Sequence, residues 1–402
     1  MQATEIFMAL LAPEGRADPY PLYAALHELG EVVALEPGAV LVHGYEAISA
    51  VLRDPAFLVS DAARMDEVFP GWQEHPSLGM ESILNLNAPE HARVRSPIAR
   101  AFTHRRILGL APAIELMTDE LLANMADRGS AGSTVEFMHD FAFLLPVTVI
   151  CELIGIPEAD REDFRPIARD LAATIEINAD LSVVAAADVA ALRLRQYFAE
   201  LAAQRRMRPR DDLMSALVQI ADSDDGRLSD SELLGNLTLL LVAGFETTTN
   251  LLGNGLRIIL QDPPAGDAVR DGSVPVAAFV EEALRYDSPV QLTSRRRGDP
   301  VEIGGVRVAA GDEVVALLGA GNRDPRRFAD PDRFDPMRSA GGPLSFGAGA
   351  HFCVGAALAR LEAAIAFPRL LAAFPALAGA GEPQRRAGLV LRGFETLPVT
   401  VT

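Results

Sequence analysis

Residues Phe346–Phe367 read FGAGAHFCVGAALARLEAAIAF, and the reading of this stretch decides the fold. Gly347 and Gly349 permit backbone conformations and close approaches that a side chain obstructs, and Gly355 relieves crowding directly after Cys353. Beyond the turn, Leu358, Leu361, Ile365 and Leu370 recur at helical spacing, so a helix packed along one face is expected, with Pro368 ending or bending it. Cys353 therefore stands near the positive end of a helix, which favours thiolate over thiol. A thiolate among small residues suits a nucleophile or a metal ligand, and the remaining sequence has to choose between them.

The chain has 402 residues, 55 acidic and 36 basic, for a formal charge of −19. That balance opposes a nucleic-acid backbone or an anionic membrane over most of the surface. Every basic residue is an arginine, which removes a Schiff-base lysine and a GK[ST] phosphate loop. The only cysteines, Cys151 and Cys353, make no CxxC pair, so neither a zinc site nor an iron–sulfur centre is expected. Cys151, within LLPVTVICELIGI, reads as a small buried hydrophobe. The opening MQATEIFMALLAPEGR has no basic leader, and LTLLLVAGF at 237–245 is too short to span lipid. A cytoplasmic chain folded as a single domain over 1–402 is expected, with no repeat or linker dividing it.

Working outward, DPYPLYAALHELG and VVALEPGAVLVHGYEAISAVLRD suggest a short helix, a hairpin around Pro37 and Gly38, and a second helix. Residues 91–261 read as mostly helical, with breaks near GSAGST, GIP and RMRPRDD. Another helix is expected in VAAFVEEALRY, then small strands in VEIGGVRVAAGDEVVA. The class is mainly α with small β sheets. A helix over 233–260 is apolar nearly all round, so it belongs in the middle of the core. It carries Gly244, Glu246, Thr247 and Thr248 into that core, where unsatisfied polar groups cost several kcal/mol on the order of magnitude. An interior hydrogen-bond network explains them; a functional cavity explains them better once Cys353 is included. Glu282 and Arg285 in EEALRY, and His91 and Arg95 in HARVR, share helix faces, and taken singly each pair reads as surface or local structure.

Taken together, these motifs resemble the cytochrome P450 family. FGAGAHFCVG, with Phe346, Gly347, Gly349, His351, Cys353 and Gly355, is similar to its haem-binding cysteine motif; AGFETT, Ala243 to Thr248, resembles its oxygen-binding groove. EALR resembles its ExxR pair, DPDRF places Arg333 as the arginine completing that network, and HARVR resembles its propionate-binding helix. The motifs occur in family order, and the resemblance spans essentially the whole chain. It implies the prism-shaped cytochrome P450 fold, with one haem b held noncovalently between the central helix and the cysteine-bearing helix.

In that reading Cys353 is the proximal iron ligand and His91, Arg95, Arg295 and His351 meet the propionates, with Phe346 and Gly355 also at the haem. Gly244 would widen the groove for dioxygen, the co-substrate; Thr247 would stabilise the activated oxygen and help protonate it, and Glu246 would assist a water-linked proton route. Glu282, Arg285 and Arg333 would be structural. The resemblance puts residues 65–86, 173–185, Leu240, Ala243, 289–293 (with Val290 and Leu292) and Val390 and Leu391 around the substrate. These stretches are largely apolar, which favours a lipophilic small molecule such as a polyketide or macrolide. The implied reaction is monooxygenation in bacterial secondary metabolism by a monomer fed by ferredoxin and ferredoxin reductase, since no flavin or nicotinamide motif is present. Oxidative coupling, desaturation or peroxide-driven oxidation is the first alternative, and a haem sensor or carrier is a second.

Overall fold

The computed structural model describes residues 1–401 apart from 36–37, 70, 177–179, 224–226 and 340. Helix accounts for 57% of residues and strand for 10%, which makes the class mainly α, as expected. The organising element is the helix Asp230–Gln261. It starts earlier than its apolar run because Ser229 accepts from Glu232 N at 3.1 Å while the Glu232 carboxylate accepts from Ser229 N at 2.8 Å, a reciprocal cap. At about 1.5 Å per residue it is about 48 Å long and crosses the whole core. Around it pack Leu144–Ile154, Phe164–Ala172, Leu181–Met207, Val276–Tyr286 and the cysteine-bearing helix Ala356–Ala373.

The helix Ala356–Ala373 continues past Pro368, so of the two expected outcomes, ending or bending, the helix does not end there. Proline removes one backbone hydrogen bond, but Phe367, Leu370 and Leu371 on either side of it are each about fully buried, and their packing offsets that loss. The expected breaks after 128, 154 and 207 are all present.

The strands of the opening segment and of 293–316 form one sheet. Val32–Leu35 pairs antiparallel with Ala39–Val42, which runs parallel to Glu313–Ala316, which in turn pairs antiparallel with Thr293–Arg296. Pro37, in the expected hairpin turn, lies outside the described residues. A short hairpin joins Val301–Ile303 to Val306–Val308. Thr134–Glu136, within the stretch read as helical, instead pairs with Pro398–Thr400. Its partner lies at the far end of the chain, so no local pattern announces it. No helix among the described residues is long and apolar enough to cross a membrane.

Candidate active site

The cysteine loop is built on its own backbone. Cys353 N donates to Phe346 O at 3.0 Å, Gly347 N to Leu344 O at 2.7 Å, and Phe352 N to Gly349 O at 3.1 Å. Gly347 and Gly349 have φ of 68° and 70°, the left-handed region that glycine alone adopts readily. At Gly349 a Cβ would also lie 2.1 Å from Leu52 O. The expected crowding at Gly355 is not present: a Cβ there would meet only Cys353 Sγ, at an ordinary 3.9 Å. Phe346 is covered by the Arg360 guanidinium 4.4 Å above its ring, and Arg360 is itself held by Glu281.

Cys353 is exposed as a residue, yet its thiol lies deep enough among protein atoms for burial to push it upward. The Gly355 and Ala356 N–H groups and the Arg95 and Arg360 guanidiniums act the other way and favour the thiolate. The sulfur thus lies among protein atoms while the residue itself is exposed, with amides from the start of the following helix bonding toward it.

Four basic side chains gather beside it. His91 and Arg95 are one turn apart on Glu90–Ala101, Arg295 lies on the strand Thr293–Arg296, and His351 is in the turn Gly349–His351. The His91 and His351 rings lie 4.1 Å apart, and His91 Nε2 is buried without a partner. Arg95 donates to Phe352 O, while Arg295 reaches only Ser294 O at 2.6 Å and Thr293 Oγ1 at 3.1 Å. Arg296 is bridged to Leu58 through the backbone, and Arg297 is taken by Asp54 and Asp299, so Arg295 is the arginine left facing the cluster.

No carboxylate pairs with Arg95 or Arg295 among the described residues. All four groups are accordingly shifted down: burial is the first cause each time, mutual repulsion adds to it at the histidines, and His351 falls to about 3. Half-buried cations without an anion are costly, and the cluster fits an anionic ligand. The two propionates of haem, with a sulfur at the base to meet iron, match this donor set in charge and number. The residues present therefore fit the group.

On the central helix, Leu239, Ala243, Gly244 and Thr247 are accessible, although their neighbours Leu240, Val242, Phe245, Glu246 and Thr248 are buried. Positions 239, 243 and 247 are one turn apart and make a single stripe. Leu240, expected at the pocket, is one position round the helix and buried at 6%; Leu239 takes its place on the stripe. The Thr247 hydroxyl donates to Ala243 O at 3.0 Å and that of Thr248 to Gly244 O at 3.2 Å, bonds that loosen the helix at this level. Gly244 has a packing role besides the one expected of it. A Cβ there would press on Ile150 Cγ1 at 3.0 Å, so the glycine seats the helix Leu144–Ile154 against the central one. Glu246, next to Thr247, is ion-paired with Arg386, which the sequence reading missed. Burial raises its carboxyl and Arg386 opposes the shift.

The ExxR pair is buried and bidentate, with Arg285 Nε and Nη2 each donating to Glu282 at 2.8 Å. The expected third member needs correction. Arg333 is exposed and contributes only its carbonyl, which accepts from Arg285 at 3.1 Å and from Arg338 at 3.0 Å. Arg338 reaches Glu282 Oε1 at 3.4 Å and is the side chain that completes the network. Arg333 lies within DPDRF and Arg338 five residues further on, and which one folds back depends on the shape of the chain between them.

Residues 289–292 and 389–392 are brought together: Val290 bridges Leu391, Gln291 N donates to Val390 O and Arg392 N to Pro289 O, each at 2.9 Å. Leu292, Val390 and Leu391 are buried there and Val290 is half-buried. The 65–86 segment meets Leu181–Met207, where Asp188 accepts from His75 Nδ1 at 2.7 Å and Ser77 Oγ at 2.6 Å. A cavity of about 270 Å³ lies between them and the central helix, lined by His75, Met80, Leu192, Leu234 and Thr238. In the other expected segment, 173–185, residues 177–179 lie outside the described residues. A larger recess of about 350 Å³, between Asp119–Ala126 and Arg369–Phe374, contains none of these residues.

Comparison with known proteins follows the same lines. The Cytochrome P450 family profile matches residues 275–389, from the helix of the ExxR pair through the cysteine loop. The chain is 42% identical to cytochrome P450 107B1 of Saccharopolyspora erythraea over 90% of its own length and 89% of the relative's. It is 37% identical to 6-deoxyerythronolide B hydroxylase of the same organism over 95% and 96%. Its fold superposes on P450BioI, crystallised with hexadec-9Z-enoic acid ligated acyl carrier protein, with a TM-score of 0.89, 34% identity, and coverage of 97% and 100%. Sequence kinship over nearly the full length, and a shared fold at that level of identity, make the chain a member of the cytochrome P450 family.

Proposed function

We propose that this cytochrome P450 monooxygenase hydroxylates or epoxidises a lipophilic organic substrate of the polyketide or macrolide kind, in bacterial secondary metabolism. The observation that carries the reading is the accessible stripe Leu239, Ala243 and Thr247, which presents one hydroxyl among apolar side chains in the middle of the core. Val290, Leu292, Val390 and Leu391 extend that apolar character, and an apolar wall with few polar groups selects lipophilic ligands. The names of two relatives support it: one hydroxylates 6-deoxyerythronolide B, and another was captured with hexadec-9Z-enoic acid on an acyl carrier protein.

Haem b, when bound, supplies reductive activation of dioxygen and transfer of one oxygen atom, the other leaving as water. Cys353 would hold its iron through sulfur, and the Gly355 and Ala356 amides and Arg95 oppose the upward push of burial on that thiol. His91, Arg95, Arg295 and His351 would hold the propionates, and Phe346 and Gly355 would contribute to the haem site. The Thr247 hydroxyl, which donates to Ala243 O on the accessible stripe, would hold and pass on a proton on that side. Glu246 is the carboxyl that would take that proton from solvent, with Arg386 opposing the upward push of burial on it. Glu282, Arg285 and Arg338 hold the proximal side in shape.

Electrons come from a separate ferredoxin and ferredoxin reductase in the cytoplasm, and the chain acts as a monomer of one domain. Phe352, 41% exposed beside Cys353, marks the docking face. The test is a haem difference-spectroscopy screen of lipophilic macrocycles and acyl compounds, followed by turnover and mass spectrometry of each hit. Oxygenated product is expected only when ferredoxin and reductase accompany NADPH. Oxidation driven by NADPH and the chain alone overturns the partner assignment, and oxygenation confined to sugar phosphates overturns the substrate assignment.

A further inference from the structure

Glu176 stands between the helices Phe164–Ala172 and Leu181–Met207, and its carboxylate receives three consecutive main-chain amides from the far end of the chain. Leu389 N and Val390 N donate to Oε2 at 2.7 and 2.9 Å, and Leu391 N donates to Oε1 at 2.9 Å. Successive amides turned toward one anion make a nest, and charge-assisted bonds are the strong kind. The preceding Gly388 is part of the arrangement: a Cβ there would lie 2.1 Å from Glu176 Oε1 and 2.3 Å from its carboxyl carbon. Through its other edge the same segment is bonded to Pro289–Gln291, four residues ahead of Arg295. Val390 and Leu391 therefore hang between the propionate-side strand and one acidic side chain.

We infer that Glu176 is a positioning residue for substrate selectivity, fixing the Val390–Leu391 wall of the pocket by gripping its backbone from the connection between two helices. The inference rests on the proposed reading that this segment lines the pocket. A backbone pairing on both edges would fix the wall permanently. A single carboxylate fixes it through one contact, so the wall and the helix pair move as one when the contact holds and separately when it breaks. Buried amides need a partner, and water replaces the carboxylate when it is removed, so the segment loosens without the fold being lost.

The test uses the full haem-loaded chain as wild type, Glu176→Ala, Glu176→Gln and Gly388→Ala. Hydrogen exchange at the amides of 389–391 is expected to quicken about tenfold or more in Glu176→Ala and less in Glu176→Gln, which keeps one acceptor oxygen. Gly388→Ala, which displaces the carboxylate from the opposite side, should match Glu176→Ala. Spectral titration then compares imidazole with the bulkier 4-phenylimidazole: the bulkier ligand's Kd should shift about fivefold or more while that of imidazole stays put. Unchanged exchange in both Glu176→Ala and Gly388→Ala overturns the contact. Faster exchange with unchanged selectivity overturns the positioning role, as does equal loosening of the central helix, which would make Glu176 a residue of general stability. A wild-type chain that gives no haem spectrum defeats the monooxygenase reading while leaving the exchange result to stand.

Discussion

Two cysteines with different surroundings show how a residue's chemistry is set locally. Cys151 is fully buried in an apolar helix, and burial pushes its thiol up to about 12, against a small pull from Arg161. Cys353 is pushed up by burial as well, but two helix-start amides and two arginines work against the shift. Cys353→Ser is expected to abolish the thiolate signature of the reduced carbon monoxide complex, and Cys151→Ser to leave it in place at a stability cost of about 1–3 kcal/mol for the buried hydroxyl. Absorption spectra and urea melts of both variants check this. Thr247→Ala should fold normally, since its hydroxyl serves only Ala243 O in the protein. It should lower product formed per NADPH consumed and raise peroxide, measured together in one reconstituted reaction; an unchanged ratio removes Thr247 from proton delivery.

At the scale of elements, the Glu282–Arg285 pair pins the helix Val276–Tyr286 to the turn that leads toward the cysteine loop. Arg285 also donates to Asn322 O at 2.9 Å and Pro331 O at 2.8 Å, so one side chain gathers three segments. With the two side chains only 2% and 5% exposed, Glu282→Ala strands a buried guanidinium and should cost about 3–5 kcal/mol. Arg338→Ala should cost about 1–2 kcal/mol and weaken haem retention, whereas Arg333→Ala, which removes an exposed side chain, should stay within about 0.5 kcal/mol. Urea unfolding of the three variants, with haem content followed in parallel, separates the two arginines. Equal effects of Arg333→Ala and Arg338→Ala would restore Arg333 to the network.

Across the whole molecule, contacts between distant segments tie the chain ends to the middle. Asp287, at the end of the ExxR helix, accepts from Tyr20 at 2.6 Å, Arg392 at 2.6 Å and Arg385 at 2.9 Å. Burial alone would raise its carboxyl, but the two arginines outweigh burial and hold it well below the usual range. Nearby, His27 Nε2 bonds Ala320 O at 3.0 Å, and its other nitrogen meets His43 at 3.4 Å. Burial lowers both histidines, His43 to about 3, with Arg326 adding to the shift and Asp324 opposing it. A histidine that stays neutral in the folded state stabilises fully above its unfolded pKa. As the pH falls below about 6.5 the unfolded chain takes up protons that folded His43 refuses, and stability drops by about 1.4 kcal/mol per pH unit for that residue. Urea midpoints should therefore fall between about pH 7 and about pH 5. His43→Leu should flatten that slope; an unaltered slope would show that His43 protonates freely in the folded protein.

The sequence by itself determined the cysteine loop, the long central helix with its polar insertion and the ExxR pair. Each of these is written within one turn or one helix, where glycine φ requirements, helical spacing and three- or four-residue offsets act between near neighbours. The tertiary structure alone decided that Arg338 rather than Arg333 reaches Glu282, that Leu239 rather than Leu240 lies on the accessible stripe, and that Gly244 packs closely on Ile150. It also supplied Arg386 for Glu246, Thr134–Glu136 as a strand, and Glu176 for the amides of Leu389–Leu391. The partners in this last group lie more than a hundred residues apart. A charge or a strand edge far along the chain leaves no periodic trace in the sequence around it. What pairs them is the packing of helices that brings their ends within a few ångströms, and the requirement that every buried charge and amide find a partner there.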